Sequence, residues 1–184
     1  MRTQRRAWMM VTLLAGGREL APDARVADFS PAHQYPLGVT LSLRRRFELL
    51  RWAREADAWI VEDDYDSEYR FAGRPLASLA GLDRGRHVIY LGTLSKVLFP
   101  ALRLGYLVVP LEHVDAFTGA RYASDRHTGV LEQAVVADFF DEGHFGRHVR
   151  RMRVLYARRR ERLASALAEH LGDEIELERS DAGL

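Results

Sequence analysis

The segment Gly92-Thr93-Leu94-Ser95-Lys96 sets two hydroxyls beside a primary amine, and Arg103 follows seven residues later. Hydroxyl donors and a forked guanidinium suit a phosphate monoester. An amine that sheds its proton condenses with an aldehyde. A ligand with both groups, such as pyridoxal 5′-phosphate (PLP), matches this loop chemically. Further upstream, Asp63 and Tyr65 stand two apart at the end of an apolar run. A carboxylate beside a pyridine nitrogen keeps that nitrogen protonated and the ring electron-withdrawing. A neighbouring phenol can tune the ring's own oxygen.

Lys96 also stands out by count. Of 27 basic residues it is the one lysine, and the other 26 are arginines. An arginine-rich genome could leave one lysine by chance. Alternatively, position 96 needs an amine, because guanidinium stays protonated and is a poor nucleophile. The neighbours of Lys96 favour the second reading. Bland alternatives stand beside the other residues: Asp63 could cap a turn, Tyr65 could be a packed loop aromatic and Arg103 could pair with a loop acid. Thr93 and Ser95 could bond backbone, as loop hydroxyls often do.

Strands and helices must position this set. Arg25 to Phe29 reads as a short strand entering a loop over residues 30–38, where His33 and Gln34 are expected chiefly to bond the turn. Ser42 is a plausible helix N-cap, followed by Leu43, Phe47, Leu50 and Arg54 at helical spacing, with Arg44, Arg45 and Glu48 facing away. Ala58 to Val61 reads as a buried strand leading into an acidic loop over 63–68. A helical turn is expected over 76–82, and further strands over 87–91 and 104–109. Leu111 to Ala123 and Val130 to Glu142 are candidate amphipathic helices. Phe145, Val149, Met152, Tyr156, Leu163 and Leu167 mark one face of a long helix ending near Gly172, and residues 174–178 alternate like a strand. Helices alternating with short apolar strands imply an α/β fold with a mostly parallel sheet. Chemistry in such sheets collects at the carboxyl ends of strands, here the loops over 63–70 and 93–103.

Composition excludes several functions. A net charge of +1 gives no global field for nucleic acid or an anionic membrane. The absence of cysteine removes disulfides and thiolate metal sites. No apolar run reaches the roughly 18 residues of a membrane span. The short run Trp8 to Leu14 has no clean cleavage site after it, so a cytoplasmic location is expected. The acids Glu62, Asp63, Asp64, Asp66 and Glu68 lack the glycine and register of a calcium loop, so no metal is expected and the acids should meet arginines or solvent. His148, Arg150, Arg151, Arg153 and Arg158 to Arg162 make a basic stretch with an intact apolar stripe and no interleaved aromatics. It reads as a solvated helix face rather than a nucleic-acid surface.

Three segments in order then resemble one family: Pro31-Ala32-His33-Gln34-Tyr35-Pro36-Leu37-Gly38, Glu62 to Arg70, and Gly92 to Tyr106. They look like class I/II (fold-type I) PLP-dependent aminotransferase domains, most like those fused to a winged helix-turn-helix in MocR/GabR-type transcriptional regulators. Leu131-Glu132-Gln133-Ala134 and His148 to Tyr156 resemble the family's later helices. The resemblance implies that Lys96 carries PLP as a Schiff base, Asp63 contacts the pyridine nitrogen and Tyr65 the ring hydroxyl. It places Thr93, Ser95 and Arg103 around the phosphate. Tyr35 stands where many aminotransferases have an asparagine, as in the regulator branch.

The resemblance further implies a fold-type I large-domain core over residues 26–143, with helices on both sheet faces. Residues 144–184 would form a long helix and the start of the small domain, and 1–25 are unassigned. The expected role is effector sensing by an amino acid or amine, in a homodimer, with DNA bound only through an N-terminal module missing here. The alternatives are a catalytic transaminase or an inactive remnant. The chain is expected to be a fragment of such a protein.

Overall fold

The computed structural model describes residues 24–35, 37–71, 73, 76–177 and 182–183. Most of the unassigned N-terminal segment, and Glu178 of the alternating tail, lie outside the described residues. Four strands pair in chain order: β1 (Val26–Phe29), β2 (Trp59–Asp64), β3 (Val88–Thr93) and β4 (Gly105–Val108). The first three are parallel, and β4 runs antiparallel to β3. Parallel neighbours need a crossover of a dozen or more residues, usually a helix. The helices α1 (Leu43–Glu55) and α2 (Leu79–Asp83) supply those crossovers. Only a loop joins β3 to β4, closed at its base where Leu94 N–H donates to the Leu104 carbonyl at 3.0 Å. The chain therefore turns back beside the strand it has just left.

The α1–α2 face of the sheet holds the first core: Ala27, Phe29, Ile60 and Val88 from the strands against Leu49, Leu50, Ala53 and Leu79 from the helices. On the opposite face a 3-10 turn (Leu111–His113) brings His113 edge-on to Trp59, with ring centroids 4.9 Å apart. That turn leads into α3 (Val114–Asp125), followed by α4 (Val130–Asp141) and the 28-residue α5 (His144–Leu171). A second core joins Leu94, Val97 and Leu104 of the β3–β4 loop to Tyr69 and to Val149 of α5, with Phe145, Met152 and Tyr156 packed alongside. Among the described residues, no helix is long and apolar enough to cross a membrane.

Two expectations from periodicity are corrected. Ser42 does cap α1, its hydroxyl accepting from Arg45 N–H at 3.4 Å. The buried face of α1, however, is Arg46, Leu49, Leu50 and Ala53, while Leu43 and Phe47 are exposed. The helix is rotated because a cation occupies a core position. The Arg46 guanidinium donates to the carbonyls of Leu41, Ala77 and Pro31 at 2.7–3.1 Å and lies 3.8 Å from Glu62. Glu62 in turn accepts from the backbone N–H groups of Leu79 and Ala80, satisfying the free donors at the start of α2. The second correction is at the tail: Ile175 to Leu177 form no strand.

Candidate functional site

Alternation along a strand decides which side chains can meet one ligand. Asp63 pairs in register with Leu91, so Asp63, Leu91 and Thr93 share one sheet face. Asp64, Tyr90, Gly92 and Tyr106 share the other. The Tyr106 ring lies over Gly92, where a Cβ would collide with it. Asp63 and Thr93 thus sit on the face opposite α1 and α2, at the carboxyl ends of neighbouring strands.

Beyond Thr93 the chain makes one helical turn, with Leu98 N–H donating to the Leu94 carbonyl at 2.9 Å. Leu94 and Val97 are buried in the second core, which leaves Lys96 exposed between them. The Val97 carbonyl is held from two sides, by the Tyr69 hydroxyl at 3.1 Å and by His148 Nε2 at 2.8 Å. Thr93 Oγ1 accepts from the Ser95 backbone N–H at 3.2 Å, so this hydroxyl does bond backbone, yet its own proton remains available to a ligand. Arg103 closes the loop with φ +52°, in the left-handed region that costs a residue with a Cβ roughly 1 kcal/mol. Its side chain is exposed, and among the described residues neither Arg103 nor Lys96 forms an ion pair. The pairing of Arg103 with a loop acid is therefore not what is seen.

The acids of the β2 end separate into distinct roles. Asp64 accepts from the Ser67 N–H at 3.0 Å, the Ser67 hydroxyl at 2.6 Å and the Tyr90 hydroxyl at 2.6 Å. Asp66, buried, pairs with His33 Nδ1 at 2.8 Å. Glu62 meets an arginine as expected, lying 3.8 Å from Arg46, whereas hydroxyls and backbone serve Asp64 and a histidine pairs with Asp66. Among the described residues, no group of three or more metal-binding side chains assembles. Asp63 differs: burial, and then the carboxylates of Asp28, Asp64 and Asp66, push its carboxyl above the usual aspartate range. An anion so placed favours a cation beside it.

Tyr65 lies in the bend just past β2 and donates its hydroxyl to the His33 carbonyl at 2.5 Å. Burial, reinforced by Asp66 and then Asp63 and Asp64, pushes the phenol up to about 12, so it stays protonated and able to donate. The turn below it is set by Gln34, whose N–H donates to the Val39 carbonyl and whose carbonyl accepts from Gly38. Gly183 approaches His33 so closely that a Cβ there would strike the imidazole, and at φ +103° only glycine fits easily. The sequence offered no signal for the contacts of His148, Tyr69 or Asp66, since each joins residues far apart in the chain.

The family model described as aminotransferase class I and II matches residues 34–184. The probable rhizopine catabolism regulatory protein MocR of Rhizobium meliloti is 44% identical over 166 residues, 90% of this chain and 34% of that protein. An uncharacterized HTH-type transcriptional regulator of Bacillus subtilis, YhdI, is 40% identical over 155 residues, 84% of this chain and 33% of its own. The chain therefore spans about a third of the length of these relatives. Among solved structures, the α-aminoadipate aminotransferase LysN of Thermus thermophilus, complexed with N-(5′-phosphopyridoxyl)-L-leucine, superposes with a TM-score of 0.79 at 32% identity. The superposition covers 87% of this chain and 42% of LysN.

Proposed function

Because the chain belongs to the aminotransferase class I and II family, we propose that it is a PLP-binding domain whose larger protein is a MocR/GabR-type transcriptional regulator, with an amino acid or amine as effector. The observation that carries this is the placement of the sole lysine. Lys96 is exposed and without an ion pair among the described residues, on a loop that leaves the sheet beside Asp63 and Thr93. The donor set fits the cofactor in kind: one amine for its aldehyde, two hydroxyls and a guanidinium for its phosphate, and a carboxyl for its ring nitrogen.

When bound, PLP supplies an aldehyde that captures amines and a protonated ring that withdraws electrons. The chain's own residues do the rest. Lys96 provides the nucleophilic amine. Asp63 holds the proton at the ring nitrogen, a role favoured because a cation relieves the crowding of Asp28, Asp64 and Asp66 around it. Tyr65 stays protonated beside the ring oxygen, and its one proton would turn from the His33 carbonyl to reach that oxygen. Thr93, Ser95 and Arg103 orient the phosphate. DNA would be contacted by a separate helix-turn-helix module, and the working unit would be a cytoplasmic homodimer.

A second reading, catalytic amino transfer, is favoured by the likeness to LysN. There Lys96 would also move a proton as general base. Multiple turnovers with an amino donor and a 2-oxo acid would establish it, and a single stoichiometric capture would not.

The test is spectroscopic. The purified chain mixed with PLP should develop the visible absorbance of lysine-bound PLP, and borohydride should fix the cofactor to the peptide containing Lys96. Lys96→Ala should lose both. Equal absorbance in Lys96→Ala would overturn the reading.

A further inference from the structure

His148 stands on α5, 51 residues from the carbonyl it contacts, and has no part in the assignments above. A carbonyl oxygen can only accept, so the 2.8 Å contact to Val97 requires the proton on His148 Nε2. The accepting residue is the one next to Lys96. Val97 itself is buried at 1% exposure, and Tyr69, also fully buried, donates to the same oxygen at 3.1 Å. Neighbouring contacts steady the imidazole: Phe139 of α4 meets it edge-on at 6.5 Å, and Val149, next in the chain, is buried in the core that contains Val97 and Leu94.

We propose that His148 is a positioning residue that ties the Lys96 turn to α5, so that occupancy at Lys96 and docking of α5 form one equilibrium. The proposal rests on the PLP reading of Lys96. The peptide plane clamped by two donors is the one just after Val97, so it restrains the turn one residue beyond Lys96. Because one of those donors belongs to α5, a displacement of the turn must either stretch that bond or move the helix. Linkage then works both ways: docked α5 favours the turn that presents Lys96, and capture of a ligand at Lys96 favours docked α5. In the larger protein such a coupling would let an amine that reacts at Lys96 be felt along a helix of 28 residues.

Two readouts test it. The first is PLP binding by the parent chain, His148→Phe and His148→Gln, followed by visible absorbance. Phenylalanine keeps a ring but loses the donor, and glutamine restores an N–H at a similar reach. Loss of one such hydrogen bond should weaken PLP binding about tenfold in His148→Phe, and His148→Gln should return it to within about twofold. The second readout is cleavage by an arginine-specific protease, for which the arginines of α5 are natural reporters. PLP should slow cleavage within α5 of the parent and of His148→Gln, and should leave His148→Phe unprotected.

Equal PLP affinity and equal protection in the parent and His148→Phe would overturn the inference while leaving the PLP reading intact. A parent that captures no PLP at Lys96 would overturn both. Should His148→Phe unfold, Tyr69→Phe removes the other donor to the same oxygen and should weaken PLP binding in the same direction. Unchanged binding in that variant would count against the clamp.

Discussion

Two sets of charges lie on opposite faces of the same sheet, and they are treated in opposite ways. On the α1–α2 face, Arg46 and Glu62 are almost wholly buried, and their polar atoms reach carbonyls, a helix start and each other. On the other face and its loop, Lys96 and Arg103 are exposed without ion pairs among the described residues, and Asp63 is crowded by other acids. The first set is closed: each charge is accounted for within the chain, and its work is to fix helix on strand. The second is open, with donors and acceptors aimed outward and a surplus of like charge. Here the satisfied ionic groups build the scaffold, and the open set is the one to which we assign the cofactor.

The sharpest way to break this contrast is to remove one member of the closed set. Arg46→Met should strip buried Glu62 of its neighbouring cation and take the guanidinium donors from the carbonyls of Leu41 and Ala77, costing about 3–5 kcal/mol, measured by urea unfolding. The second variant Glu62→Leu in the same background should recover part of that loss. Lys96→Ala, by contrast, should change stability by less than about 0.5 kcal/mol while abolishing PLP capture.

Next in size is Arg103→Gly. It removes the guanidinium and relieves the left-handed backbone at once. PLP affinity should fall about ten- to a hundredfold, while unfolding free energy should rise by up to about 1 kcal/mol. A variant that loses both stability and affinity would show that Arg103 belongs to the scaffold after all.

The smallest effect concerns Asp63 and pH. For a carboxyl whose folded pKa is raised, the protonated form favours folding, and that contribution is lost as pH climbs from its unfolded value through the folded one. The cofactor-free parent should therefore lose some stability on this account above about pH 4. Asp63→Asn should not, so its Tm should exceed the parent's by about 1–2 °C at pH 7 and match it near pH 3. PLP binding by Asp63→Asn should nonetheless be weaker, because the partner of the ring nitrogen is gone.

Much of the scaffold was legible in the sequence. The strands at 59–64 and 88–93, the cap at Ser42 and the helices α4 and α5 fall close to where apolar periodicity places them. What failed, failed for a reason. Periodicity counts arginine as an outward residue, and Arg46 points inward because three carbonyls converge on it. The candidate residues were legible by type and spacing, and the register of β2 on β3 brings Asp63 and Thr93 onto one face. Their supports were not legible: Asp66 on His33, Tyr69 and His148 on Val97 depend on folding distant segments together. No local pattern encodes such meetings.

The hydrogen bond that closes the β3–β4 loop at Leu94 and Leu104 has a further consequence. Lys96 and Arg103 hang from one ring of backbone, pinned at its base, rather than from separate elements. A ligand gripped at one end by either residue meets the other at a high effective concentration, because the second contact is intramolecular. On the proposed reading the two grips would act as a chelate, and opening the ring should loosen both together.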